Sequence, residues 1–246
     1  MAAREKNDML KWVRKGLQAG VKTTGYPHTR ESAPGISPGR PAAMLCDGPQ
    51  EAAAVAGLCP TGALSNQENM IRVDHRRCVH CGRCRQDHEH AMAWEGGYEW
   101  AGGRKAPGEM AAAFSRSLHI RILDAGACGA CLSEIKQISS PYYNIHRLGF
   151  FITPTPRTAD VLLVAGPLTD PMRLPLERCY AAMPDPKRVV AVGACAVSGG
   201  IFGPSFAAAA GISQCVPVDI EIPGCPPPPL ALLHALLMVA GKTKQT

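Results

Sequence analysis

From Leu118 onward the chain alternates short apolar runs with segments whose apolar residues recur every three or four positions. Leu118–Leu123, Val161–Ala165 and Val189–Val192 have the length and branched content of strands buried on both faces. Leu132–Ile138, Pro175–Ala182 and Leu230–Val239 carry helical spacing. A further apolar run, Val218–Ile222, precedes the last of these helices. Strand and helix in alternation predict an α/β domain built on a parallel sheet.

The first half has a different texture. Met9, Leu10, Val13 and Leu17 lie close to helical spacing and predict a short amphipathic helix over Met9–Ala19. Residues 25–41 are rich in Pro, Gly and Ser and predict an extended loop. Glycines gather again between 96 and 109, around Pro107, which marks a linker or turn region. The expected division is therefore a basic helix and lead-in over 1–41, a small domain over 42–95, a linker over 96–117 and the α/β domain over 118–246. No internal repeat or low-complexity tract interrupts this order.

Composition narrows the function classes. At 246 residues there is room for one sizeable domain and one smaller one, and 46% hydrophobic residues are enough for a core. Aromatics make up only 5%, which argues against a stacking platform and against nucleic acid as a partner. The net charge is +6, with much of the excess near the N-terminus at Arg4, Lys6, Lys11, Arg14, Lys15 and Lys22. Such a run is either a solvated basic face or a dock for anionic lipid or an acidic partner subunit. The stretch 1–15 is charged and lacks the apolar core of a signal peptide. The longest apolar stretch, Pro226–Ala240, is too short to span a bilayer and is interrupted by His234. A soluble or peripheral protein of the reducing cytoplasm is the expectation, and eleven cysteines then point to metal rather than disulfides.

Eight of those cysteines form two sets. Cys78, Cys81 and Cys84 follow the C-x2-C-x2-C pattern, with Cys59-Pro60 upstream; Cys128 and Cys131 are joined later by Cys195 and by Cys225-Pro226. Soft thiolates hold iron–sulfur clusters, and three cysteines at this spacing plus a remote Cys-Pro are the bacterial ferredoxin arrangement. In that arrangement the fourth cysteine of each run serves the other cluster. Here that position is His88, and the partner run keeps only Cys46 and Cys59, so one cluster site remains complete. The competing reading of the first set is a zinc site formed by Cys with one of His75, His80, His88 or His90. Cys46 is expected to be a relic thiol, and Cys179 and Cys215 buried free thiols. In the second set, Cys128 and Cys131 follow the first strand, Cys195 the third and Cys225 the run Val218–Ile222. All four are expected beyond the carboxyl ends of parallel strands, where open α/β sheets place their ligands.

The motif Asp124-Ala-Gly-Ala-Cys128-Gly-Ala-Cys131-Leu-Ser-Glu134 resembles the proximal-cluster motif of the small subunit of NiFe hydrogenases. The resemblance continues through Pro156-Arg-Thr-Ala-Asp160, Gly193-Ala-Cys195-Ala-Val-Ser-Gly-Gly200 and Ile222-Pro-Gly-Cys225, covering roughly residues 118–242. With no further cysteine-rich stretch, the membrane-bound, complex I-related hydrogenases are the nearest branch. The complex I subunit that holds the terminal cluster belongs to the same superfamily, but typically has two adjacent cysteines where this chain has Cys128-Gly-Ala-Cys131. Leu132 departs from the acidic residue common after the second cysteine, whereas Glu134 matches the second acidic position. Leu17, Gly20, Thr23-Thr24, Tyr26-Pro27, Gly39-Arg-Pro41 and Cys59-Pro-Thr-Gly-Ala-Leu64 resemble the ferredoxin subunit of the same complexes.

The resemblance implies a flavodoxin-like parallel-sheet domain preceded by a small α+β ferredoxin-like domain, a fusion of two neighbouring subunits. It implies two 4Fe-4S clusters, one on Cys59, Cys78, Cys81 and Cys84 and one on Cys128, Cys131, Cys195 and Cys225. Electrons would be relayed to or from the active site of a large partner subunit, NiFe-type or complex I-like, with no catalytic residue in this chain. Membrane subunits would complete the assembly on the inner face of the cell membrane. Glu134 would serve proton transfer or hydrogen-bond near the cluster. Gly129, Gly193 and Gly224 would let backbone approach the cluster sulfurs.

Overall fold

The computed structural model describes residues 2–86, 92–103 and 114–242. His88 and His90 lie outside the described residues, as does the 104–113 part of the expected linker.

In chain order the elements of the first half are α1 (Ala2–Ala19), β1 (Arg40–Pro41), β2 (Met44–Leu45), α2 (Pro49–Gly57), β3 (Leu64–Gln67), β4 (Met70–Val73), α3 (Arg83–Gln86), β5 (Trp94–Glu95) and β6 (Gly102–Gly103). The second half adds β7 (Leu118–Asp124), α4 (Ala130–Gln137), β8 (Phe150–Ile152), β9 (Val161–Ala165), α5 (Arg173–Ala181), β10 (Arg188–Val192), α6 (Gly193–Ser198), β11 (Ile220–Ile222) and α7 (Pro229–Val239).

The largest sheet has six strands in the order β6-β11-β10-β9-β7-β8. Every neighbouring pair from β8 to β11 is parallel, and β6 closes the far edge antiparallel to β11. Numbering the parallel strands by their own order gives 2-1-3-4-5, the order of flavodoxin-type doubly wound sheets. Alternation in the strands explains the two cores. Val161, Leu163 and Ala165 point with Ile120, Val190 and Ile222 into the core covered by α4 and α7. Leu162 and Val164 point with Val189 and Ala191 to the opposite face, against Leu176 of α5 and Ala196 and Val197 of α6. Successive side chains of a strand take opposite faces, so a strand covered on both sides is apolar throughout. All five residues of β9 are accordingly buried.

Helix α7 is buried along nearly its whole length, from Pro229 to Val239. Its polar exception, His234, turns Nδ1 toward the hydroxyl of Tyr26 at 3.0 Å. Tyr26 also donates to Glu99, which pairs with Arg30 at 2.7 Å. The lead-in is thus an extended segment fastened to the α/β domain. Thr24 N donates to Tyr142 O at 2.8 Å, and Arg147 donates to Tyr26 O.

In the first half, β2, β4 and β3 form a three-stranded antiparallel sheet, and β1 pairs antiparallel with β5. Pro49 starts α2 at a position where its missing N–H costs no helical hydrogen bond. Ala52 and Val55 of α2 pack on Leu64, Ile71 and Met92, with Cys46, Cys59 and Cys84 along the margin of this core. Cys179 and Cys215 are half-buried rather than buried, which corrects the expectation for them. Both pack against the core beneath α5, with Cys179 also within reach of Arg121 and Cys215 within reach of Arg173 and Glu177.

Candidate metal centres

The parallel register brings four strand ends into one row. Asp124 pairs with Ala165, Ala165 with Val192 and Val192 with Ile222. The loop after β7 carries Cys128 and the helix it leads into, α4, carries Cys131; α6, directly after β10, carries Cys195, and the bend after β11 carries Cys225. Asp124 bends the first of these loops by accepting hydrogen bonds from Gly126 N at 2.9 Å and Ala127 N at 2.7 Å. Gly129, with φ +94°, then caps α4 and brings Cys131 into its first turn. The other two loops are tied together where Ala194 N donates to Gly224 O at 2.8 Å.

The thiols of this row sense one another. Burial pushes Cys131 up to about 12, with Cys225, Cys195, Cys128 and Glu134 adding negative potential. Cys195 is pushed up to about 11 by burial and then by Cys225 and Cys128. Burial and Cys128 raise Cys225 as well. Converging thiols, all but Cys128 at least half-buried, are an unfavourable place for bare thiolates and a favourable one for iron, whose positive charge stabilises the deprotonated ligands. Burial also pushes the Glu134 carboxyl upward.

Of the three glycines expected to admit a sulfur, Gly193 lies against one: a Cβ there would stand 2.6 Å from Cys131 Sγ. Gly129 has open space around it and serves its left-handed turn, and Gly224 is crowded by Pro227. Gly200, not singled out from the sequence, has the role instead, since its Cβ would stand 2.8 Å from Cys195 Sγ. The Gly199-Gly200 pair after Cys195 was the available signal.

Cys59, Cys78, Cys81 and Cys84 line one shallow pocket together with Thr61, Val79, His80, Gly82 and Trp94. Cys59 follows α2, and its sulfur accepts a hydrogen bond from Ala63 N at 3.2 Å, with the Thr61 hydroxyl at 3.6 Å. Burial raises the Cys59 thiol, but hydrogen bonds from Thr61, Ala63 and Leu64 outweigh it and hold the group below its ordinary value. Burial pushes Cys78 up to about 11, against a hydrogen bond from His80 N and with Cys59, Cys84 and Cys81 adding to the rise. Burial, then Cys81 and Cys59, raise Cys84. Thr61 and Trp94 were not legible as site residues from cysteine spacing.

Among the described residues, no three His, Cys, Asp or Glu side chains come close enough to share one metal ion. Of the histidines weighed for a zinc site, His80 lines the pocket and His75 does not. Both are held neutral-favouring by burial. A cubane gives each thiolate its own iron, so its four ligands stand around a cluster rather than on a point. Two sets of four converging thiols, with glycine backbone against Cys131 and Cys195 and amide donors on Cys59, fit that group.

Residues 128–239 match the family of the NADH ubiquinone oxidoreductase 20 kD subunit. An uncharacterized protein of Methanocaldococcus jannaschii is 44% identical over 127 residues, covering 52% of this chain and 85% of that protein. Formate hydrogenlyase subunit 7 of Escherichia coli is 42% identical over 130 residues, 53% of this chain and 51% of the relative, so the match spans about half of that protein. Among solved structures, a chain of the membrane-bound sulfane sulfur reductase, an archaeal respiratory membrane complex, is 31% identical. It aligns over 52% of this chain and 72% of its own length, with a TM-score of 0.46.

Proposed function

Because the chain belongs to the family of the NADH ubiquinone oxidoreductase 20 kD subunit, we propose that it is an iron–sulfur electron-transfer subunit of a membrane-associated, NiFe-hydrogenase-type complex. The observation that carries this reading is the row of Cys128, Cys131, Cys195 and Cys225 beyond four aligned strand ends. These cysteines hold one 4Fe-4S cluster, and Cys59, Cys78, Cys81 and Cys84 hold a second in a ferredoxin-like domain over 42–95. When bound, such a cluster supplies a one-electron carrier at a potential set by burial and by hydrogen bonds to its sulfurs.

The chain's own residues do the rest. Cys131 is the buried ligand of the second site, with Cys195 and Cys225 half-buried and Cys128 exposed, and Gly193 and Gly200 leave room for backbone beside the ligands. Ala63 and Thr61 place donors on Cys59 in the first. Glu134, raised by burial, keeps its proton to higher pH than an exposed carboxyl and is suited to pass it on. Catalysis falls to a large partner subunit, with electrons relayed through the two cysteine sets to or from its active site. No helix among the described residues is long and apolar enough to cross a membrane. Attachment then comes through membrane subunits, with this chain peripheral on the inner face. The name of formate hydrogenlyase subunit 7 supports the hydrogenase branch.

The test is nickel content and hydrogen-dependent dye reduction of the complex that co-purifies anaerobically with the tagged chain. Stoichiometric nickel with hydrogen uptake is expected. An iron-rich complex without nickel would move the function to a complex I-like relay, with the same cysteines serving another endpoint.

A further inference from the structure

The loops that carry the two cysteine sets are fastened directly to each other by side chains that belong to neither set. Arg76, two residues before Cys78, forks onto Glu221, with Nε 2.8 Å from Oε2 and Nη2 2.9 Å from Oε1. Glu221 lies in β11, four residues before Cys225. Ser198, three residues after Cys195, donates to Arg76 O at 2.8 Å. Trp100 is buried, and its indole N–H donates to Pro223 O at 3.0 Å, two residues before Cys225. The same indole meets the ring of His80 edge-on, with centroids 5.8 Å apart at 90°. His80 stands between Cys78 and Cys81 in a left-handed conformation, φ +51°, and its other side meets Trp94, a wall of the first pocket.

We propose that Trp100 is a positioning residue: with the Arg76–Glu221 fork it clamps the Cys225 loop onto the Cys78–Cys81 loop and sets the separation of the two cluster sites. The proposal rests on the two-cluster reading above. Each contact has a distinct job. The bidentate fork fixes direction as well as distance, and the buried indole satisfies its polar tip while filling the space between the loops with a rigid ring. Separation matters because transfer between two carriers in a protein weakens steeply as they move apart.

The experiment compares the full chain with Trp100→Leu, Trp100→Phe and Arg76→Gln, all purified anaerobically. Two readouts are taken besides activity: the magnetic interaction between the two reduced clusters by electron paramagnetic resonance, and hydrogen exchange of the amides of Glu221, Ile222, Gly224 and Cys225. Trp100→Leu is expected to keep its iron, to lose most of the magnetic splitting and to exchange several-fold faster at Gly224 and Cys225. Trp100→Phe retains the ring contact with His80 but not the bond to Pro223, so partial rescue of the splitting is expected, with exchange still accelerated. A Trp100→Leu protein with unchanged splitting and unchanged exchange overturns the clamp. If that variant loses iron or fails to fold, Trp100→Phe and Arg76→Gln decide, and wild-type behaviour in both overturns it. A wild-type chain holding a single cluster would sink the two-cluster reading instead, while the exchange readout still judges the clamp.

Discussion

Single atoms decide what the two cysteine sets can hold. Gly193→Ala would drive a methyl to 2.6 Å from Cys131 Sγ in a backbone with φ +85°, which side chains rarely adopt. The expected outcome is loss of the second cluster, iron falling from about eight to about four per chain as one cubane's worth of metal goes. At the first set, Thr61→Val removes the hydroxyl from Cys59 and leaves the amide donor of Ala63. One fewer hydrogen bond on the sulfur stabilises the reduced cluster less, so redox titration should find the first potential more negative and the second unchanged. His234 gives a pH prediction. Burial lowers its proton affinity in the folded state, against a smaller opposing effect of Glu99. Below its ordinary value of about 6.5 the unfolded chain takes up the proton first, so folding stability falls as pH falls through that value toward the depressed folded one. Thermal unfolding at pH 7.5 and pH 5.5 should show the loss, and His234→Gln should reduce it by that residue's share, since His75 and His80, lowered by burial as well, add losses of the same sign.

At the scale of elements, the central strands are where stability is most exposed to substitution. Leu163→Ala in β9 empties space in a core closed on both sides and should cost about 2–5 kcal/mol in denaturant unfolding. The same continuous burial made β9, β10 and α7 legible in the sequence to within a residue or two, because an element covered on every side must be apolar on every side, whereas β7 places half-buried His119 and Arg121 between its buried residues. Elements that owe their existence to a neighbour were not legible. The strand β8 is three residues at the margin of the parallel sheet, with Phe151 and Ile152 partly exposed, and exists by pairing with β7. The six-residue α6 consists of small residues without a period. Helix α1 runs from Ala2 rather than Met9, since the charged residues before Met9 show no apolar periodicity to extend the pattern. At the sites, cysteine spacing pointed to both sets and the strand-end rule to where the second would gather. Trp94 and Trp100 were hidden, because their roles depend on which loops meet across the chain, while Thr61 and Gly200 act on cysteines in their own loops through turns that spacing alone does not specify.

Across the whole molecule, the two sets differ in what supports them, and this yields the last prediction. Cys128, Cys131, Cys195 and Cys225 hang from a sheet whose faces are both covered by helices, so their loops start from fixed points even without metal. Cys59 and Cys84 border a small core that has five buried residues among those described, too little apolar surface to hold such loops strongly, and Cys78 and Cys81 share their pocket. Metal that binds only the folded state adds its binding free energy to folding, and that addition matters most where the core is least. Cys81→Ser should therefore remove about four of about eight irons, make the first half markedly easier to cleave by protease, and leave the second cluster's spectrum intact. Cys131→Ser should remove as much iron while the α/β half stays resistant. Equal protease sensitivity in the two variants would show that both halves depend on metal alike, and that the sheet does not hold its cysteine loops by itself.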